Sequence, residues 1–310
     1  TVVAIDPRNG DVLAMYSNPS FDGNLFVHGI SSKNYKKILN SKDLPLINRA
    51  VQGYPPASTV KPLLAILGLE KKAITQTSRE YDPGWFQLKG IKHKYRDWYP
   101  QGHGWVNLNK AIEQSCNVYF YKLAVKLGID NVTNMMEKFG FGDYTGIDIY
   151  EESRAILPGR EMKRVRYNKP WYTGDTISIG IGQGYWTATP LQLAQAISIL
   201  ANKGKIKVPH LLKSTTELQS ITDDETGISS STLVTSNYDF VEKPPIILNQ
   251  PKNWDLVLDA MHNAAQKKGA TAYNAFKGSK YDAAGKTGTA QLVSKKQDEK
   301  YDAKSIKERQ

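Results

Sequence analysis

The chain has 310 residues, of which 40% are hydrophobic and 23% are charged, and its formal net charge is +11. This composition is typical of a globular protein, and the single cysteine, Cys116, excludes an internal disulfide. The longest apolar run, at residues 63–69, is too short to cross a bilayer. No nucleic-acid-binding motif accompanies the basic residues, so the charge predicts a solvated surface that favours an anionic neighbour.

A β-hairpin is predicted first. Residues 1–6 and 11–17 have the pattern of strands, and we expect Asn9 and Gly10 to supply the positive-φ positions of the turn between them. The strand-like opening carries no signal peptide, so we expect a soluble piece of a longer protein.

Helices are predicted through the middle of the chain, where the apolar spacing from Ser58 to about Gly204 is helical. The last of these helices has Thr189 as its expected N-cap, Pro190 as its first residue and Gly204 just past its end. One predicted helix follows Ser58, and the others cover residues 108–114, 118–127 and 190–202.

The last third of the chain is mixed. Residues 214–238 are rich in Ser, Thr and Asp and are expected to form a loop or a mobile insert. An amphipathic helix is predicted from Trp254 to Lys268, and residues 281–294 have the pattern of a strand interrupted by glycines. Strands at both ends with helices between them predict an α/β sheet domain with an all-helical insertion, whose boundary makes a natural cleft.

A serine and a lysine give the first chemical signal. Ser58 and Lys61 are about one helical turn apart, so their side chains can reach hydrogen-bonding distance. Pro62 has no N–H to donate, which places Ser58 at the start of the helix. There the helix dipole favours an oxyanion and disfavours an ammonium, as an activated serine with a neutral amine base requires. The same pattern is also common in helices without a catalytic role.

Two more motifs follow. The S-C-N motif at residues 115–117 lies between two predicted helices and offers a hydroxyl that can relay a proton and an amide that can orient a carbonyl. The K-T-G-T motif at residues 286–289 lies in the last predicted strand, where a glycine permits the approach of an extended peptide and hydroxyls can bind a carboxylate. Each motif also has an interpretation without function: the S-C-N residues can simply cap a helix, and the K-T-G-T residues can simply form the polar face of a strand.

These three motifs, in this order, resemble the signature of the penicillin-interacting serine transferases. Their surroundings, including G-Y-P-P-A-S-T-V-K-P and G-I-G-Q-G-Y-W-T-A-T-P-L-Q, are similar to the elongation-specific class B penicillin-binding proteins, the penicillin-binding protein 2 group. The resemblance spans nearly all of residues 1–294. It implies the penicillin-binding/β-lactamase-like transpeptidase fold, an antiparallel sheet flanked by helices plus an all-helical subdomain. The expected α/β subdomain is 1–57 with 205–310, and the helical subdomain is about 58–204.

The resemblance implies a peptidoglycan D,D-transpeptidase that cross-links stem peptides during cell elongation and is covalently inhibited by β-lactams. Ser58 would attack the carbonyl of the penultimate D-Ala, and Lys61 would take the serine proton. Ser115, linked to Lys286, would pass a proton to the leaving amine, and Asn117 would hold a substrate amide.

The resemblance also implies the substrate contacts. Thr287 and Thr289 would bind the terminal carboxylate beside the charge of Lys286, and Gly288 would leave room for the peptide. The backbone N–H groups of Ser58 and Thr289 would form the oxyanion hole.

A glycine-rich segment at residues 180–184 has a different interpretation. It lacks the third glycine of a dinucleotide-binding motif, because Tyr185 stands there, and no suitable strand leads into it. We interpret it as a loop near the cleft.

Asp82, Asp97, His103 and Cys116 form a second set of candidate functional residues. Two carboxylates, an imidazole and a thiol can hold zinc in four-fold coordination. Their spacing matches no compact metal motif, so the residues alone favour surface carboxylates and a small buried thiol. Metal sites at matching positions in some members of the resembled subfamily favour a structural zinc. Transpeptidation itself requires no cofactor.

The chain departs from the family pattern at both ends. It stops soon after the K-T-G motif and carries neither a membrane anchor nor a pedestal domain, so we expect a truncated domain. The resemblance implies a location at the periplasmic face of the bacterial inner membrane. It also implies a membrane glycosyltransferase and cell-shape proteins as partners, and no nucleic acid.

Two other functions stay open. A serine β-lactamase would share all three motifs, but the E-x-x-L-N string that supplies the deacylating glutamate of class A enzymes does not occur here. A non-catalytic scaffold or a β-lactam sensor would also keep a penicillin-binding domain.

Overall fold

The computed structural model describes residues 1–222 and 229–290. One-turn 3-10 helices lie at Gly23–Phe26 and Ala57–Val60. The helices are α1 (Ser32–Leu39), α2 (Lys61–Glu70), α3 (Leu108–Glu113), α4 (Asn117–Leu127), α5 (Ile129–Lys138), α6 (Arg160–Tyr167), α7 (Thr173–Ile179), α8 (Pro190–Ala201), α9 (Lys252–Gln266) and α10 (Tyr273–Phe276). The strands are β1 (Val2–Ile5), β2 (Val12–Tyr16), β3 (Glu80–Asp82), β4 (Trp85–Gln87), β5 (Lys94–Arg96), β6 (Gly104–Val106), β7 (Ile206–Lys207), β8 (Ser214–Thr222), β9 (Ser229–Asn237) and β10 (Glu242–Lys243).

The strands of the described chain form two-stranded antiparallel sheets, which pair β1 with β2, β3 with β6, β4 with β5, β7 with β10 and β8 with β9. The β1–β2 hairpin confirms the first predicted element. Of the two predicted turn residues only Gly10 has a positive φ, +96°. The expectation for Asn9 is wrong, because its side chain accepts the N–H of Asp11 at 3.1 Å and so forms a turn in which only Gly10 has a positive φ.

The chain divides into two compact units. The first contains residues 1–52, 143–153 and 190–246. Helix α8, which begins at Pro190 as predicted, packs on β1 within this unit. The core of the unit is a cluster of Val51, Ile147 and Leu191, against which Val3, Ile5, Val12, Met15 and Ile149 pack.

The second unit contains residues 53–142, 154–189 and the described residues from 247 onward. Its central helix is α2, which is buried on all sides from Lys61 to Leu69. A helix that is apolar all round fits only in an interior, and each buried leucine contributes roughly 1.5–3 kcal/mol to folding. Helices α4, α5 and α9 surround α2. This packing gives the candidate site a rigid base.

The expectation of a loop or mobile insert at residues 214–238 is wrong. They contain the β8–β9 hairpin, which is paired in register from Ser214 with Asn237 to Thr222 with Ser229, and not only a loop. Threonine has a high strand propensity, and a two-stranded ribbon can be polar on both faces, so a Ser/Thr-rich composition does not exclude strands.

The predicted strand at residues 281–294 is a second expectation that the structure does not bear out. The described part, 281–290, adopts no strand within the described chain, and the rest lies outside the described residues. The N–H of Gly285 donates to the carbonyl of Met261 in α9 at 3.0 Å, so a helix holds this segment where a neighbouring strand was expected.

Two features complete the comparison with the sequence. Helix α9, with Trp254 and Met261 buried, confirms the predicted amphipathic helix. The predicted subdomains, 1–57 with 205–310 and 58–204, divide the chain by type of element and not by packing, and they stay a prediction.

None of the helices in the described ranges is both long enough and apolar enough to cross a membrane.

Candidate active site

Ser58 lies in the 3-10 turn that leads into α2. The turn begins after Pro56, and the backbone N–H of Lys61 donates to the carbonyl of Ser58. Pro62 stands in the first turn of α2, where a missing N–H costs nothing. The serine is partly exposed. The prediction of a serine at a helix start is confirmed, with the refinement that the α-helix itself begins three residues later.

The residue before the serine is held in an unusual conformation. Ala57 has φ +52°, a left-handed conformation that costs energy for any residue with a Cβ. Its N–H donates to the carbonyl of Gly182 at 2.8 Å. Gly182 itself has φ +67°, and a Cβ there would lie 2.1 Å from the carbonyl oxygen of Ala57. The glycine-rich loop at 180–184 therefore packs directly on the backbone of the serine turn.

The Lys61 side chain is completely buried and points at the S-C-N segment. Its Nζ donates to the Ser115 carbonyl at 2.8 Å, to Asn117 Oδ1 at 2.7 Å and to Ser115 Oγ at 3.4 Å. In the described part of the chain its hydrogen bonds do not include the predicted one to Ser58. Buried polar groups bind the partners that best replace water, and the 115–117 segment offers the amine several acceptors.

Burial changes the protonation of Lys61. It disfavours the ammonium and lowers the pKa of Lys61 to about 7, although the negative charge of Asp97 opposes the effect. The ring of Phe120 lies 5.3 Å from Nζ. A large neutral fraction of this amine is therefore available near neutral pH, as a general base requires.

Ser115 occupies the tight turn between α3 and α4, as predicted. Its φ is +53°, and its side chain is buried. Lys286 Nζ donates to Ser115 Oγ at 2.7 Å. Asp97 stabilises the start of α4, because its Oδ2 accepts the N–H groups of Asn117 at 2.6 Å and Val118 at 3.0 Å. The structure thus holds the side chains of both Ser115 and Asn117, the two candidate functional residues of the S-C-N motif, through hydrogen bonds from lysines.

The K-T-G-T segment lies against both Ser115 and the serine turn. Lys286 Nζ also donates to the Thr287 carbonyl at 2.8 Å. Gly288 lies against the serine turn, since a Cβ there would be 2.7 Å from Thr59 Cγ2. Thr287 is half-buried, and Thr289 is exposed at the end of the segment. Burial and the nearby Lys61 lower the pKa of Lys286 to about 6.

The candidate metal ligands also converge. Ligand atoms of Asp82, Asp97, His103 and Cys116 all lie within 4.8 Å of one another. His103 Nδ1 lies 2.7 Å from Asp82 Oδ2 and 3.6 Å from Asp97 Oδ1. The Cys116 thiol lies 3.4 Å from Asp82 Oδ2. This convergence was not evident from the spacing of the residues.

The donor set fits a zinc ion. Asp82, Asp97 and Cys116 are buried, and so many anionic or potentially anionic groups in one place need a cation. In the part of the chain that the structure describes, the buried Nε2 of His103 has no hydrogen-bond partner. Burial raises the pKa of the Cys116 thiol, which a bound metal would reverse.

Sequence reasoning missed three contributions. Gly182 received no role beyond its loop, and Asp97 appeared only as a metal ligand although it also caps α4. Thr59 was not singled out, yet its Oγ1 donates to the Pro56 carbonyl at 2.5 Å and its methyl group contacts Gly288. A positive φ and a contact between distant residues leave no local signal, and Asp97 is 20 residues from Asn117, so none of the three could have been found from local patterns.

Comparisons with known proteins agree with the geometry. The family model "Penicillin binding protein transpeptidase domain" matches residues 1–308. The chain is 47% identical over 309 residues to Peptidoglycan D,D-transpeptidase MrdA of Escherichia coli (strain K12), a match that covers 99% of this chain and 47% of that protein. The chain thus spans about half the length of the curated relatives it matches.

Solved structures show the same similarity. The crystal structure of Pseudomonas aeruginosa PBP2 in complex with WCK 5153 matches with a TM-score of 0.83 at 46% identity, over 94% of this chain and 62% of that one. Helicobacter pylori PBP2, in its complex with MreC, matches with a TM-score of 0.80 at 34% identity, over 94% of this chain and 50% of that one. The expected penicillin-binding fold is confirmed, and the chain belongs to the penicillin-binding protein transpeptidase domain family.

Proposed function

We propose that this chain is the catalytic domain of a peptidoglycan D,D-transpeptidase that cross-links stem peptides during cell elongation. The observation that carries the proposal is the convergence of its three motifs. Lys61 and Lys286 both hydrogen-bond Ser115 Oγ, and Gly288 packs against Thr59, the neighbour of Ser58. A nucleophile, a base, a proton relay and an open peptide-binding segment are thereby held together.

The first half-reaction makes an acyl-enzyme. Ser58 Oγ attacks the carbonyl carbon of the penultimate D-Ala while its proton passes to the neutral Lys61 amine. A carbon–oxygen bond forms, the peptide carbon–nitrogen bond breaks, and the terminal D-Ala leaves as an amine. That amine takes, through Ser115, the proton that Lys61 received from Ser58. Lys61 Nζ donates to Ser115 Oγ at 3.4 Å, and Lys286 Nζ holds the same hydroxyl at 2.7 Å.

The second half-reaction transfers the acyl group. The amine of a neighbouring stem peptide attacks the ester carbonyl and passes its proton through Ser115 to Lys61. The ester carbon–oxygen bond then breaks, and Lys61 returns the proton to Ser58 Oγ. A β-lactam follows only the first half, because its ring amide opens without losing the leaving group.

Substrate contacts come from the K-T-G-T segment and the S-C-N motif. The hydroxyls of Thr287 and Thr289 bind the terminal carboxylate near Lys286, and Asn117 orients a substrate amide. Gly288 has no side chain, which leaves its backbone open to an extended peptide. The N–H groups of Ser58 and Thr289 stabilise the oxyanion.

A structural zinc held by Asp82, Asp97, His103 and Cys116 belongs to the same proposal. Zinc would neutralise the buried carboxylates and thiol and tie the segment from β3 to β6 to the S-C-N motif, because Cys116 is part of that motif. The chemistry of acyl transfer stays with the side chains of the protein.

We place the whole protein at the periplasmic face of the bacterial inner membrane, with cell-shape proteins and a membrane glycosyltransferase as partners. The solved complex of the related Helicobacter pylori PBP2 with MreC supports a partner of the cell-shape class.

A fluorescent penicillin tests the function. Intact-protein and peptide mass spectrometry should show one long-lived acyl adduct on Ser58. The Ser58→Ala variant should lose the adduct and keep the melting temperature of the wild type. Rapid turnover of the penicillin would indicate a β-lactamase, and a folded wild-type protein without an adduct would indicate a non-catalytic scaffold.

A further inference from the structure

Lys163 is a buried lysine outside the motifs. Its side chain on α6 is 2% exposed, and its Nζ lies 2.5 Å from Asp175 Oδ2. Burial opposes the charge, but the hydrogen bond and the charge of Asp175 raise the pKa of Lys163, so it is an ammonium at neutral pH. A buried charge needs fixed partners, and its loss should disturb the groups around it.

The partners of Lys163 lie at the two ends of one segment. The rings of Trp171 and Tyr172, just before α7, are centred 5.7 and 4.8 Å from Nζ. The ring of Tyr185, just after the glycine-rich loop, is centred 5.2 Å away. Cation–π attraction therefore adds to the ion pair. Asp175 also accepts the N–H of Tyr172 at 2.8 Å and so caps α7.

The middle of the same segment contacts the serine turn. Gly182 accepts the N–H of Ala57 at 2.8 Å, and Ala57 has the strained φ of +52°. A strained residue keeps its conformation only where its surroundings hold it. The ammonium that joins residues 171–175 to Tyr185 thereby fixes the loop that holds the residue before the nucleophile.

We propose that Lys163 is a positioning residue for acylation. Its ammonium clamps the two ends of the 171–185 segment, the clamped loop keeps Gly182 against Ala57, and this contact aims Ser58 at the substrate carbonyl. The proposal rests on the proposed function of Ser58 and adds a residue to it.

Stopped-flow acylation with the fluorescent penicillin separates the affinity of the first complex from the acylation rate constant. For Lys163→Met we expect the rate constant to fall roughly 10- to 100-fold while the affinity stays within about threefold, because misplacement of a nucleophile slows chemistry more than binding. The double variant Lys163→Met/Asp175→Asn should show the same fall as Lys163→Met and not a further one, since both changes break one interaction. Measurements are made well below each melting temperature.

The control is Ile199→Ala, which removes a buried side chain of α8 and lowers stability. Ile199 belongs to the first unit, whereas Ser58, Lys163 and the 171–185 segment belong to the second. Its acylation rate constant should stay within about twofold of the wild type. An equal fall in Ile199→Ala and Lys163→Met would reduce Lys163 to a stabilising residue and overturn the proposal.

Amide hydrogen exchange gives a readout that does not depend on acylation. The Ala57 N–H should exchange faster in Lys163→Met than in the wild type and at the wild-type rate in Ile199→Ala. If the wild-type protein forms no adduct, the proposed function fails. The exchange rate of the Ala57 N–H then decides by itself whether Lys163 holds the 171–185 segment in place. The proposal for Lys163 is overturned if the Ala57 N–H exchanges at the same rate in Lys163→Met as in the wild type. It is also overturned if Lys163→Met leaves the acylation rate constant unchanged.

Discussion

Lys61 and Lys286 direct their side-chain nitrogens at one oxygen atom, Ser115 Oγ, over 3.4 and 2.7 Å. Lys61 is buried and Lys286 is partly buried, and burial lowers both pKa values, with the positive charge of Lys61 lowering that of Lys286 further. Two amines that share a hydroxyl titrate as a coupled pair. The site can therefore hold and release protons near neutral pH with side chains that are normally charged.

The first prediction is a pH dependence of acylation. The pKa of Lys61 is lowered to about 7, so its neutral, base-competent fraction increases as pH rises through this value. We expect the acylation rate constant for a β-lactam to rise between about pH 6 and about pH 8 and then to level off. Stopped-flow measurements over this range check it. A rate that keeps rising toward pH 10 would indicate an ordinary lysine pKa and contradict the assignment.

The second prediction concerns Gly182→Ala. The added methyl group would lie 2.1 Å from the Ala57 carbonyl oxygen at a φ of +67°. We expect a loss of about 2–4 kcal/mol in the free energy of unfolding and a large fall in acylation. Gly90→Ala is the matched control. Gly90 has φ +80°, and no atom of the described residues lies within 4 Å of its Cβ position, so this variant would carry backbone strain alone.

Urea unfolding and penicillin binding measure both variants. Gly90→Ala should lose only about 1–2 kcal/mol and acylate normally. If the two glycine variants behave alike, the contact between Gly182 and the serine turn has no special importance.

The third prediction tests the contact between Gly288 and Thr59. Gly288→Ala places a methyl group 2.7 Å from Thr59 Cγ2. Thr59 cannot easily rotate away, because its hydroxyl donates to the Pro56 carbonyl. We expect at least a tenfold slower acylation with little loss of stability, since residue 288 is exposed.

A second substitution makes this prediction sharper. Thr59→Ser removes the clashing methyl group and keeps the hydroxyl, so Gly288→Ala/Thr59→Ser should recover most of the lost rate. Acylation kinetics of the two single variants and the double variant form a double-mutant cycle. Additive effects of the two changes would mean that the side chain at 288 disturbs the substrate and not Thr59.

The fourth prediction concerns zinc. Protein purified without chelator should contain about one zinc per chain, and Cys116→Ser should lose most of it. Removal of the metal should lower the melting temperature, because the buried Asp82 and Asp97 would then keep their charges without a cation.

Elemental analysis and thermal unfolding check the zinc prediction. His262→Ala is the control, since His262 is an exposed histidine that pairs with Asp282 and lies outside the cluster. A wild-type protein that is free of zinc and equally stable with and without chelator would rule the metal out.

Local patterns predicted much of the fold. The hairpin of β1 and β2, the apolar helix after Ser58 and the amphipathic α9 each follow from periodicity and turn residues within one segment. The β8–β9 hairpin was mistaken for a loop, because Ser and Thr occur in both polar strands and loops. The last strand was predicted from its composition, but a strand also needs a partner, which the described residues 281–290 do not have.

By itself, the sequence determined which reactive groups the protein has, their order along the chain and the family to which it belongs. Only the tertiary structure decided which of them meet. Lys61 is 54 residues from Ser115, and Lys286 is 171 residues away, so neither contact has a local pattern. The burial that lowers both lysine pKa values also comes from packing, because desolvation depends on which segments cover a side chain and not on its neighbours in the chain.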